Sequence, residues 1–309
     1  PGEQKTKTVW LASSQDASGE PLRLKIKQLV NPLKVQVCPE YICSTNALSF
    51  YSSSSDSEIQ TLINLGLDQE LGFEAKRELI DEYGWRHVGD LYADHENEHF
   101  HSDELIISHY NNQYDPIYGF LRQFLKSGNP KWFKLANELA LHVIDIDIYH
   151  TDLDRAEYNH GLFWHTDHYV DAATAGHRTY SKNQPQNVYI DHAGGGGPGG
   201  QHCYTSGLAL YYLLTGNEDA KQAVLDLTQW IINVYEGSSG LLDYALALKN
   251  SDSRPDLKNI KNGQYPLDRG TGNYINALLD SFEITGKQSL LDQASMVIKH
   301  TASICEDLD

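Results

Sequence analysis

A chain of 309 residues that is 40% hydrophobic can bury a sizeable core, as one large domain or two smaller ones. Its 42 acidic against 24 basic residues give a formal net charge of −18, which excludes general nucleic-acid binding because that needs clustered Lys and Arg. No apolar run is long enough to span a bilayer, and an anionic ligand would meet long-range repulsion unless its site held local positive charge.

The chain opens on PGEQKTKTVW, which lacks the apolar core of a signal peptide. Either the protein is cytoplasmic or this is a processed or excised part of a longer one. Leu22, Leu24 and Ile26 alternate with Arg23, Lys25 and Lys27, and Leu33, Val35 and Val37 repeat the pattern. Such alternation predicts strands. Residues 1–56 therefore read as a strand-rich segment, the edge of a β-domain, closed by the polar run YSSSSDSE. Cys38 and Cys43 are close enough to pair, but their spacing, with Cys203 and Cys305 far away, is no zinc signature. Residues 80–112 show no clean period and are rich in His, Asp, Trp and Tyr, as functional loops often are.

From Asp115 the pattern turns helical, and 57–309 reads as one mainly α domain. Asp115-Pro116 is an N-cap followed by Pro, and the helix it starts ends at Gly128. Asn129-Pro130 opens the next, with Trp132, Leu135, Ala136, Leu139, Ala140 and Val143 on one face. Further helices are expected over about 162–178, 201–216, 217–234, 272–284 and 288–304. FLKSGNPKWFKLANELA, YLLTGNEDAKQAVLDLTQW and EITGKQSLLDQASMVI share one plan of helix, Ser/Thr-Gly turn and helix. Gly ends the first helix in the left-handed region, and the short turn makes the second an antiparallel neighbour. Repeated hairpins predict an (α/α) toroid, here with fewer helices than a closed six-hairpin ring needs.

Residues 159–207 concentrate His160, His165, His168, His177, His192 and His202 beside a glycine run. On a helix, His165, His168 and Tyr169 share a face, which suits proton transfer. His165 and His168 with a distant carboxylate would instead suit a metal. GGGGPGG is no phosphate loop, since no Lys follows. It lets backbone approach a ligand, and a helix starting near Gln201 would place His202 and Tyr204 in its first turn. Arg86 can grip a carboxylate and Trp85 can stack on a sugar, while Asn112, Gln113 and Tyr114 precede a helix start. His142, Asp145, Asp147 and His150 read as a helix end whose carboxylates hold neighbouring elements.

YGWRHVGD, NNQYDPIYGFLRQFLKSGN, HVIDIDIYH, GLFWHTDHY and GGGGPGGQH, in this order over about 83–216, resemble the exo-acting rhamnogalacturonan lyase family and its bacterial relatives. The resemblance implies β-domains followed by an α/α toroid, and β-elimination on a uronic-acid-containing glycan outside the cytoplasm, in the periplasm or secreted. The roles that follow come from chemistry, not from the family. β-Elimination needs a group to neutralise the uronate, a base for the C5 proton and an acid for the leaving oxygen. Catalytic candidates are His165 or His168 as base and Tyr169 or Tyr204 as acid, with His202 as an alternate. Substrate-binding candidates are Arg86, Asn112, Tyr114, Trp164 and Arg178. The sequence requires no cofactor, though a bound metal ion has room, and the expected partner is an anionic polysaccharide or oligosaccharide rather than a nucleic acid or membrane. Two other readings stand beside this one. A glycoside hydrolase on the same scaffold would draw on Asp115, Asp145, Asp147, Asp167 and Asp171. A non-catalytic glycan-binding module would use the aromatic residues alone.

Overall fold

The computed structural model describes residues 4–11, 13, 19–30, 36–48, 51–52, 57–80, 83–84, 87–93, 108–109, 112–154, 158–162, 199–237, 248 and 257–306. The described chain is mainly helical. Helices α1 (Glu20–Val30), α2 (Pro39–Thr45), α3 (Ser57–Leu65) and α4 (Phe73–Ile80) come first. A two-residue antiparallel pair follows, β1 (Tyr92–Ala93) against β2 (Ser108–His109). Then come α5 (Pro116–Ser127), α6 (Pro130–His142), α7 (Ser206–Thr215), α8 (Glu218–Glu236), α9 (Arg269–Thr285) and α10 (Gln288–Glu306).

The strand-rich N-terminal portion is not seen among the described residues. The alternating stretch expected to be a strand is α1, which buries none of its residues. Its composition explains the outcome. Leu, Lys, Arg and Gln are good helix formers, Pro21 is tolerated in a first turn, and Glu20 and Lys27 sit at the ends that suit the helix dipole. Alternation selects a strand only where a second sheet or helix covers one face.

The hairpin repeat is present. Gly128, Gly216 and Gly286 end α5, α7 and α9 at φ 67°, 69° and 67°, each donating its N–H to a carbonyl four residues back. Asn129 and Asn217 then cap α6 and α8, accepting from Lys131 N and Ala220 N. Helices α5, α7 and α9 pack successively on one another, and α6, α8 and α10 back their hairpin partners. One continuous core runs through them, with Ile117, Leu121, Leu135, Leu139, Leu208, Leu227 and Leu278 fully buried. Nothing lies within 4 Å of a Cβ built on Gly216, so its left-handed φ is the whole obstacle to a side chain there. Gly216→Ala is expected to cost about 1 kcal/mol in urea unfolding, with an unchanged m-value.

Helix α6 ends in a π-turn, Val143–Asp147, whose polar residues fasten other segments. Asp145 accepts from Thr6 N (2.7 Å) and Thr6 Oγ1 (2.8 Å), which docks the N-terminal stretch. His142 is fully buried, with Nε2 3.4 Å from Asp147 and 3.8 Å from Asp90. Burial works against its charged form, but the two carboxylates outweigh it and raise the imidazole above its ordinary value. The expected role of this helix end, holding neighbours, agrees with these contacts. No described helix is long and apolar enough to cross a membrane.

Candidate functional site

Three segments converge near the starts of α5, α7 and α9. The first is the turn into α5. Tyr114 and Asp115 both take positive φ, 61° and 57°. Two consecutive non-glycine residues in that region are strained, and such strain persists only where surrounding bonds hold it. Here Asp115 N donates to Asn112 O (3.0 Å), and the Asp115 carboxylate accepts from Tyr118 N (3.3 Å). Asn112 is buried beneath, its Oδ1 3.5 Å from Ile117 N. Tyr114 is thereby left 62% exposed.

The second segment is the stretch before α7. A single helix from about 201 was expected, but a 3-10 turn, Gly200–His202, comes first and α7 begins at Ser206. Cys203, at φ −86° and ψ 90°, breaks the helical run. His202 and Tyr204 thus precede the helix rather than lie in its first turn. The third segment is the start of α9. Its N-cap Asp268 accepts from Thr271 N (3.0 Å), Gln201 Nε2 lies 3.4 Å from the same carboxylate, and Asn273 Nδ2 donates to Gly200 O (3.1 Å). These bonds fasten the 3-10 turn to α9.

The result is a compact group. Arg269 Nη2 lies 3.3 Å from His202 Nε2. A guanidinium only donates, so this nitrogen accepts and the ring proton is assigned to Nδ1. The Arg269 guanidinium also stands 5.4 Å from the centre of the Tyr114 ring. The Tyr204 ring centre is 6.4 Å from that of Tyr114 and 6.5 Å from that of His202. Burial raises the Tyr204 hydroxyl above its ordinary range, opposed by the Arg269 charge and the Tyr114 backbone, while Asp115 adds to the rise. Among the described residues Arg269 forms no ion pair, in a chain where acidic residues far outnumber basic ones.

Beside this group lies a cavity of about 480 Å³, lined by residues of α7 and α9 and by Tyr114 and Tyr204. Asp115 and Asp280 both line it. Burial pushes the Asp115 carboxyl up to about 6 against its bonds from Gly207 N and Tyr118 N. Burial likewise pushes Asp280 up to about 7, against hydrogen bonds from the Thr205 and Ser206 hydroxyls. Asp145 and Asp147, the other described carboxylates offered for a hydrolase, do not line it.

Of the sequence candidates, the structure brings together His202, Tyr204 and Tyr114, with Asn112 supporting Tyr114. Arg86, Trp164, His165, His168, Tyr169 and Arg178 lie outside the described residues, as do Asp167 and Asp171. The sequence reading missed Arg269 and Asp280. A signal for Arg269 existed: a cation at the first position of a helix opposes the macrodipole, so it calls for another reason to be there. Among the described residues no group of three or more His, Cys, Asp or Glu is placed to hold a metal ion. Cys38, Cys43 and Cys203 are free thiols, so the first two are not paired. Comparison with known protein families and with curated proteins finds no match to this chain.

Proposed function

We propose that the chain is a polysaccharide lyase that cleaves a uronic-acid-containing glycan by β-elimination, and that its hairpins belong to an α/α toroid whose helix starts face the substrate. The observation that carries this reading is the grouping of Arg269, His202, Tyr204 and Tyr114. Arg269 supplies the local positive charge that an anionic substrate needs on a strongly acidic protein. Its planar fork suits a uronate carboxylate. Neutralising that carboxylate makes the C5 proton acidic. A substrate carboxylate that engages the guanidinium also frees His202 Nε2, the candidate base among the described residues. The other candidate base is His165 or His168, both outside the described residues. Tyr204, kept protonated by its burial, protonates the leaving glycosidic oxygen. Tyr114 offers its exposed face to a sugar ring. No external cofactor is needed for these steps, and a secreted or periplasmic setting follows from a polymer substrate.

The hydrolase reading rests on Asp115 and Asp280, two carboxyls with raised values at one cavity. Both are already engaged by the backbone and hydroxyls of 205–207, which favours a supporting role. A product assay separates the readings. On a panel of anionic polysaccharides, a lyase releases 4,5-unsaturated uronates with new ultraviolet absorbance, whereas a hydrolase releases reducing ends without it. Tyr204→Phe is expected to lower kcat at least about a hundredfold with little change in KM. Full activity in that variant, or reducing ends without absorbance from the unaltered protein, would overturn the assignment.

A further inference from the structure

Asp115, the N-cap of α5, and Asp280 of α9 reach the same short stretch of chain, 205–207. Asp115 Oδ2 accepts from Gly207 N at 2.8 Å. Asp280 Oδ2 accepts from Thr205 Oγ1 at 2.6 Å and Ser206 Oγ at 2.9 Å. Thr205 follows Tyr204 directly, and Asp115 follows Tyr114 directly. Asp280 therefore holds the residue beside Tyr204, and the Gly207–Asp115 bond ties the same stretch, three residues past Tyr204, to the residue beside Tyr114. The approach is close: a Cβ on Gly207 would clash with Asp115 Oδ1 and lie 2.6 Å from Tyr118 N. A charged acceptor on a backbone N–H is among the stronger hydrogen bonds, and two strained turn residues need such a hold.

We propose that Asp115 and Asp280 are positioning residues of this site, clamping 205–207 from α5 and α9 so that Tyr204 is fixed against Tyr114 and Arg269. The catalytic consequence rests on the lyase reading, whereas the positional one stands without it. Among the described residues, the charged and titratable groups facing Tyr204 are Arg269 from α9, Tyr114 and Asp115 from the start of α5, and His202 from its own stretch. Asp115 faces Asp280 in turn, and Glu283 stands on the same side of α9. The Asp115 charge opposes ionisation of Tyr204, so its removal makes that hydroxyl easier to ionise.

The test compares Asp115→Asn, Asp115→Ala, Asp280→Ala and Gly207→Ala by two readouts. The first is NMR titration of tyrosine ring carbons in the protein without substrate, with Tyr204 assigned through Tyr204→Phe. The second is the pH profile of kcat on whichever glycan yields unsaturated product. Asp115→Asn keeps an acceptor for Gly207 N–H and loses the charge. It is expected to move the Tyr204 titration and the basic limb of kcat together to lower pH, with KM unchanged. Asp115→Ala and Gly207→Ala are expected to lower kcat about tenfold or more, a loss that Asp115→Asn largely avoids. Asp280→Ala, which removes the acceptor for the Thr205 and Ser206 hydroxyls, is expected to broaden or split the Tyr204 resonance. If the Asp115 variants only melt earlier, with the Tyr204 titration and the kcat limb unmoved, Asp115 is a helix cap alone and the proposal fails. If the titration moves as expected while no glycan yields unsaturated product, the positional inference stands and the lyase reading falls.

Discussion

Arg269→Ala is expected to lower kcat/KM on a uronate-containing glycan by about a thousandfold, the loss typical of removing one preorganised charge stabiliser from an active site. The protein should stay folded. Arg269 is the first residue of α9, it is only partly buried, and the cap of that helix is made by Asp268 instead. Its removal also relieves an unfavourable cation at a helix N-terminus, so stability should change by no more than about 1 kcal/mol in either direction. Arg269→Lys keeps the charge and loses the planar fork and the stacking on Tyr114. It should recover part of the rate, to within about ten- to a hundredfold of the unaltered protein. Initial rates from the ultraviolet absorbance of the product, with a melting curve for each variant, make the measurement. An Arg269→Ala protein within twofold of the unaltered rate would remove Arg269 from the mechanism.

Where local chemistry decides structure, the sequence was readable. The three hairpins were visible because Gly128, Gly216 and Gly286 each stand at a left-handed helix end, with Asn129 and Asn217 as caps just beyond two of them. Asp115-Pro116 marked the start of α5 for the same reason. His202, Tyr204 and Tyr114 were found by residue type and by the glycines beside them. The failures share another cause. Strand-like alternation in 22–27 carried no information about a covering partner, and without one α1 follows its helix propensity. Arg269 stands 67 residues beyond His202, and long-range bonds such as those from Asn273 to Gly200 and from Gln201 to Asp268 help bring them together. Asp280 looked like an ordinary helical carboxylate, because its two hydroxyl partners are more than 70 residues away.

The protein is expected to be more stable at pH 5 than at pH 8, and Asp280→Asn should remove much of that difference. Asp280 is raised from 3.8 to about 7 and Asp115 from 3.8 to about 6, both chiefly by burial. A group that holds its proton more tightly when folded contributes stability fully present below its unfolded value. That contribution is lost as pH rises through the folded value. For these two carboxyls the loss therefore begins above about pH 4 and is complete for Asp115 near 6 and for Asp280 near 7. His142, also raised, acts in the same direction: its contribution is present below the ordinary imidazole value of 6.5 and fades above it. The net charge of −18 reinforces the trend, since self-repulsion grows as the remaining carboxylates ionise. With allowance for solvent in the cavity that Asp280 lines, its share between pH 5 and pH 8 is about 2 kcal/mol. That corresponds to about 3 °C in melting temperature for a chain of this size. Asparagine keeps an acceptor for Thr205 and Ser206, so the variant should melt higher than the unaltered protein at pH 8 and no higher at pH 5. Glu70→Gln, at an exposed carboxylate, removes the same charge and should leave the slope as it was. Urea unfolding at pH 5, 6, 7 and 8 resolves the three proteins. Parallel pH dependences for the unaltered protein and Asp280→Asn would mean that the Asp280 carboxyl is solvated enough to titrate as a surface group, and that its hold on 205–207 is weaker than its 2.6 Å and 2.9 Å bonds imply.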